Sequence, residues 1–129
     1  MRRFGQLVLL LCAISIGARA DEPPAQKFVV FFQEWSAAID DSAQAVITRA
    51  AEWVKTHPDN IAHVSGFADP TGSKEANILM SELRAQVVVD QLKSDGVNAS
   101  RLQQDGHGSV QFALTSQESR RVEISIKRP

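Results

Sequence analysis

At 129 residues, 43% hydrophobic and 22% charged, the chain fits one globular domain. Its formal net charge is −1; without Arg2, Arg3 and Arg19 of the leader, 11 basic residues remain against 15 acidic ones, a balance of −4 that offers nucleic acid no basic face. The one cysteine, Cys12, also lies in the leader, so the rest of the chain can build no disulfide frame, thiol nucleophile or thiolate metal site.

Residues 1–20 read as a secretory signal. Arg2 and Arg3 are its positive start, residues 7–18 are uncharged and mostly apolar, and Ala18-Arg19-Ala20 is a small-x-small cleavage box before Asp21-Glu22. The apolar run falls short of the about 20 residues that a membrane span needs. Cleavage after Ala20 is expected. A lipid anchor at Cys12 is the alternative, disfavoured because Leu11 stands where a small residue belongs. Residues 21–26 (DEPPAQ) form a short Pro-rich tether, and residues 27–129 form the domain.

Residues 27–32 (KFVVFF) are β-branched and aromatic, as a central strand requires. Residues 39–56 place Ile39, Ala43, Val46, Ile47, Ala50 and Val54 at helical spacing. Asp40, Asp41 or Ser42 can cap that helix, and Pro58 ends it. Residues 60–66 (NIAHVSG) fit a short strand. Asp69-Pro70-Thr71-Gly72 has turn chemistry, because Pro presets φ and Gly permits φ > 0. A second helix starts near Thr71 or Ser73 and stops at Gly96. Residues 101–108 read as a third strand that loosens at Gly106-His107-Gly108. Residues 110–118 are a polar connection with room for one helical turn. Residues 120–128 alternate strictly, with Val122, Ile124 and Ile126 on one side and Glu123, Ser125 and Lys127 on the other. The order β-α-β-α-β-β, with an alternating last strand, predicts an α+β fold: a mixed sheet with helices on one face and water on the other.

The second helix is the informative one. At about 100° per residue, Asn77, Ser81, Arg84, Val88 and Gln91 share the middle of its inward side. Met80, Leu83 and Val87 fill one flank; Ile78, Ala85, Val89 and Leu92 fill the other. Glu82, Gln86, Asp90 and Lys93 make the solvated face. An inward arginine needs a partner, since an isolated buried charge is costly. The nearest acid in chain order able to return to it is Asp69. The two could form a ligand pocket or a structural ion pair that pins loop to helix. Asn77 and Ser81 read as inward polar groups that satisfy backbone. His57, His63 and His107 stand at no metal-ligand spacing, and no nucleophile sits on an elbow motif. No metal, cofactor or catalytic residue is therefore expected. Trp35 and Trp53 read as packing residues.

Gly66, Asp69, Gly72, Asn77, Leu79, Ser81, Arg84, Ala85 and Val88, in that spacing, resemble the OmpA-like, peptidoglycan-binding domain of outer-membrane proteins, peptidoglycan-associated lipoproteins and flagellar-motor stators. Phe31-Phe32, Gly96-Val97, Arg101, Gly106-x-Gly108 and Arg120-Arg121-Val122-Glu123 extend the resemblance over about residues 27–128. It implies a βαβαββ domain in the periplasm of a Gram-negative bacterium, associated with the cell wall or outer membrane. The implied function is non-catalytic binding of the diaminopimelate side chain of peptidoglycan, as a cell-wall anchor. Asp69 and Arg84 are the implied main contacts, with Asn77 and Arg120 as further candidates; Arg120 reads equally as a solvated strand-end charge. Envelope or outer-membrane proteins are possible further partners. Three positions depart from the family pattern. Phe67-Ala68 replaces His-Thr, Gln33 replaces an acid, and Ser119 replaces Asn, each shrinking or removing a polar contact. These departures support the alternative function, an envelope protein-interaction module whose wall binding is weakened or lost.

Overall fold

The computed structural model describes residues 25–109 and 115–129. The expected signal, most of the tether and residues 110–114 of the polar connection lie outside the described residues. The elements are β1 (Gln26–Phe31), α1 (Asp41–Thr56), β2 (Ile61–Gly66), α2 (Lys74–Ser94), β3 (Leu102–Gly106), α3 (Ser116–Ser119) and β4 (Arg121–Lys127). A 3-10 turn, Ala99–Arg101, leads into β3, and α3 is the single helical turn for which the connection left room.

The caps explain the helix limits. Asp40 accepts from Ala43 N–H at 2.8 Å, so α1 starts at Asp41 and not at Ile39. Ser73 does the same for α2, accepting from Ala76 N–H at 3.1 Å. At its end Gly96 has φ +98°, Gly96 N–H donates to Lys93 C=O and Val97 N–H to Leu92 C=O, a Schellman closure.

The sheet order is β1-β4-β2-β3, so β1, expected as a central strand, is an edge strand because β4 inserts between it and β2. The last strand thus enters the middle of the sheet, antiparallel to both β1 and β2, while β2 and β3 run parallel across α2. Register puts the apolar side of β4 in line with its neighbours: Val122 faces Val30 and Gly66, and Ile124 faces Phe28 and Val64. Val122, Ile124 and Ile126 are fully buried against α1 and α2, with Ile47, Val54, Val88 and Leu92. The opposite sheet face carries Lys27, Glu123, His63 and Asp105. Lys27 Nζ pairs with Glu123 at 2.9 Å.

On the flank of Met80, Leu83 and Val87, Leu83 departs from expectation, whereas Val87 packs against the core. Leu83 is 50% exposed and Leu79 65%. Both project past β3, which is an edge strand, and line an open groove with Glu82, Gln104 and Asp105. The other flank meets the core as expected, with Ala85, Val89 and Leu92 buried.

Gly66 and Gly106, opposite each other at the ends of β2 and β3, set how closely α2 approaches. A Cβ on Gly66 would lie 1.9 Å from Ser81 O, and one on Gly106 would lie 2.6 Å from Glu82 N. Helix backbone therefore touches strand backbone at this point, and the loop leaving β2 is delivered directly onto the inward face of α2.

Candidate ligand-binding site

The loop after β2 is held from two sides. Phe67 N–H donates to Arg121 C=O at 2.8 Å, and Ala68 N–H to Gly108 C=O at 2.7 Å. The Gly108 turn is in turn tied to α2: Ser81 Oγ accepts from Gly108 N–H at 2.9 Å and donates to Ile78 C=O at 2.7 Å. Ser81 therefore satisfies backbone and passes the position of α2 on to the loop. Replacing Ser81 by alanine leaves the Gly108 N–H buried without an acceptor, at a cost of about 1–3 kcal/mol. Urea unfolding of Ser81→Ala should show that loss, with faster hydrogen exchange at Gly108; an unchanged midpoint would refute this linkage.

This loop presents Asp69. Its carboxylate accepts from Thr71 Oγ1 at 2.5 Å and from Arg120 Nη1 at 3.1 Å. Arg120 is anchored as well, donating from Nε to Phe32 C=O at 3.2 Å. Burial works to raise the Asp69 carboxyl. The hydrogen bonds from Thr71 and Arg120 and the charge of Arg120 outweigh it, leaving Asp69 below its ordinary value of 3.8.

Arg84 is 1% exposed, as its place on the helix predicts. Its bonded partners are not the expected ones. Nε donates to Ser36 C=O at 2.9 Å, Nη1 to Phe67 C=O at 3.3 Å and Nη2 to Gln33 C=O at 3.1 Å. The expected direct pair of Asp69 with Arg84 is thus corrected: the carboxylate is bonded to Arg120, and Arg84 clamps three main-chain carbonyls. The guanidinium fork matches carbonyls brought in by two different loops, while Arg120, between α3 and β4, reaches the carboxylate. The charges still share one site. Burial and, next, the charge of Arg120 pull Arg84 down to about 10, against the opposing pull of Asp69. Two cations and one anion leave the cluster with a net charge of +1. Asn77 is buried on the same face of α2, about two turns before Arg84.

The histidines are less scattered than their spacing implied. His63 Nε2 lies 2.8 Å from Asp105 Oδ2 and His107 Nε2 lies 2.7 Å from Oδ1, on the wet sheet face. Among the described residues, no group of three or more His, Cys, Asp or Glu is placed to hold a metal ion. Nor is any described helix long and apolar enough to cross a membrane.

A four-stranded mixed sheet, covered on one face by two helices and carrying this charge cluster at one end, defines a small α+β binding module. The chain belongs to the OmpA family, whose model matches residues 31–124. That is a family of OmpA-like, peptidoglycan-binding, non-catalytic domains. The chain is 32% identical to the peptidoglycan-associated lipoprotein of Rhizobium meliloti, over 74% of this chain and 58% of that protein. It is 32% identical to the probable lipoprotein YiaD of Escherichia coli, over 75% of this chain and 47% of that one. It thus spans about half the length of the curated relatives it matches. Among solved structures, the peptidoglycan-associated lipoprotein of Burkholderia pseudomallei superposes with a TM-score of 0.73 at 24% identity, covering 78% of this chain and 90% of that one; this likeness concerns the fold. The C-terminal domain of Helicobacter pylori MotB gives 0.69 at 26% identity, over 78% and 84%.

Proposed function

We propose that this chain binds peptidoglycan without covalent chemistry, by receiving the free zwitterionic end of diaminopimelate, and so anchors itself to the cell wall. In this reading Asp69 accepts the ammonium, and Arg84 and Arg120 attract the carboxylate. Asn77 lies behind them on α2. The observation that carries the reading is the net positive cluster. A guanidinium held down to about 10 by burial gains most from a ligand anion, and the adjacent Asp69 fits the second charge of the ligand. Asp69 Oδ2 already accepts from Arg120, and a carboxylate offers about four acceptor sites, so the ammonium can join Arg120 on it. The relatives named peptidoglycan-associated lipoproteins support a site at the wall, and the secretory signal read at residues 1–20 supports a route to the periplasm. Mass spectrometry of the mature N-terminus separates a start at Asp21 from a lipid-modified Cys12.

The test is sedimentation with insoluble cell wall. The parent should pellet and Asp69→Ala should stay in solution. The pH course follows from the sign of the shift. Asp69 is depressed in the folded state, so its ion pair is intact above the ordinary value of 3.8 and is lost as pH falls through the lower folded value. Retention should therefore be level from neutral pH to the ordinary carboxylate range and collapse only below it. Equal pelleting of parent and Asp69→Ala at neutral pH would end this reading.

The same geometry supports a second reading, an envelope protein-interaction module that no longer binds wall. Asp69 and Arg84 are satisfied within the chain, and Ala68 is buried where the family carries a hydroxyl. In that case the parent itself remains in the supernatant, and cross-linking in the envelope recovers a protein partner.

A further inference from the structure

Trp35 stands out next to this site. It lies in the loop between β1 and α1, is 52% exposed, and is the one non-glycine residue with positive φ, 51°, among those described. A bulky side chain in the left-handed region is strained, and such strain persists only where the surroundings over-determine it. Here the surroundings are Arg84. Its guanidinium holds the carbonyls of Gln33 and Ser36, on either side of Trp35. Ser36 N–H closes the turn onto Gln33 C=O at 3.2 Å, and Ala38 N–H donates to Ser36 Oγ at 3.0 Å.

The clamped turn directs the indole across the Asp69 loop. Gly72, three positions beyond Asp69, has φ +86°, and a Cβ there would lie 2.6 Å from Trp35 Cη2 and 3.1 Å from Cζ2. The ring thus lies against Gly72, at the end of the turn that starts with Asp69, and remains half open to solvent. A packing role, expected from the sequence, accounts for the buried half only. The residue that the strained turn holds out is an apolar plate beside a charge cluster.

Resting on the peptidoglycan reading above, we propose that Trp35 is the apolar wall of the binding site and packs against the methylene arm of the amino acid whose charged tip meets Asp69 and the arginines. Indole suits this task, offering a large rigid surface that loses little freedom on binding. Covering two methylenes corresponds to about tenfold in affinity. The same ring could instead face a sugar of the glycan, and the experiment separates the two.

The chain has two tryptophans, so Trp53→Phe leaves Trp35 as the only indole reporter. Titrating that protein with a diaminopimelate-containing tripeptide that carries no sugar should shift Trp35 emission in step with calorimetric binding. Trp35→Ala should bind the tripeptide about tenfold more weakly, and Trp35→Phe should recover most of the loss. Trp35→Gly removes both ring and strain, so its thermal midpoint should not fall while its binding does. If Trp35→Ala binds as the parent does, or Trp35→Gly unfolds as a core deletion would, the wall is not there. A shift seen only with the disaccharide-bearing peptide also overturns the proposal, assigning the ring to the sugar. A parent that binds neither peptide nor wall removes the underlying reading, and this proposal with it.

Discussion

Replacing Arg84 by alanine should lower the stability of the domain by about 3–5 kcal/mol, read from the urea midpoint at constant slope. Two effects oppose each other. Burying the guanidinium is unfavourable, which is why its pKa falls to about 10. That burden is present at every pH below about 10 and is relieved above it, because the folded state disfavours the charged form. Against it stand three charge-assisted bonds, to Gln33, Phe67 and Ser36. Hydrogen bonds to charged groups contribute about 1.5–3 kcal/mol each, and their loss leaves main-chain oxygens unsatisfied. The bonds win. Arg84→Lys tests the balance, because it keeps the charge and loses the fork. It should be destabilised by about 2 kcal/mol or more, since one ammonium cannot reach carbonyls spread over two loops. An Arg84→Lys protein as stable as the parent would mean that charge, and not the clamp, holds the loops.

Gly66→Ala is the second large effect. The added carbon would sit 1.9 Å from Ser81 O and 2.8 Å from Ser81 C, and both are helix backbone. No side chain can turn aside, so α2 must move bodily away from β2. Overpacking of this kind costs about 1–3 kcal/mol where side chains can adjust. Here it should reach the upper end or exceed it. The movement also shifts Ser81 away from Gly108, and with it the tie from Gly108 to Ala68 that seats Asp69. Thermal unfolding and wall sedimentation should therefore fall together in Gly66→Ala, whereas Asp69→Ala should lose sedimentation with a smaller change in midpoint. Normal sedimentation by a destabilised Gly66→Ala would show that the loop keeps its place without the close contact.

Much of this fold can be read along the chain because its signals are local. The alternation of residues 120–128 reappears as the buried row Val122, Ile124 and Ile126. The candidate caps included Asp40 and Ser73, which do cap the two helices, and Gly96 does end the second. The helical wheel turned Arg84 and Ser81 inward, and both are buried. Each of these follows from a period or a capping bond within a few residues, and so does the motif spacing from Gly66 to Val88. Leu83 is the exception, and its exposure shows the limit of a wheel: it gives the direction of a side chain, but not whether another element covers it.

The site's wiring belongs to distance. Asp69 meets Arg120 across 51 positions, and Arg84 reaches Ser36 across 48. Chain order favoured Asp69 for Arg84 because it was the nearest acid, but insertion of β4 between β1 and β2 brings Arg120 to that carboxylate first. The acceptors of Arg84 are backbone oxygens, which every residue carries, so no residue type could announce them. Trp35 likewise reads as packing until the clamped turn shows which way the ring is held. Periodicity, caps and motif spacing arise from bonds within a turn or two of the chain. Partners, exposure and the +1 charge of the cluster arise only when strands far apart in sequence become neighbours.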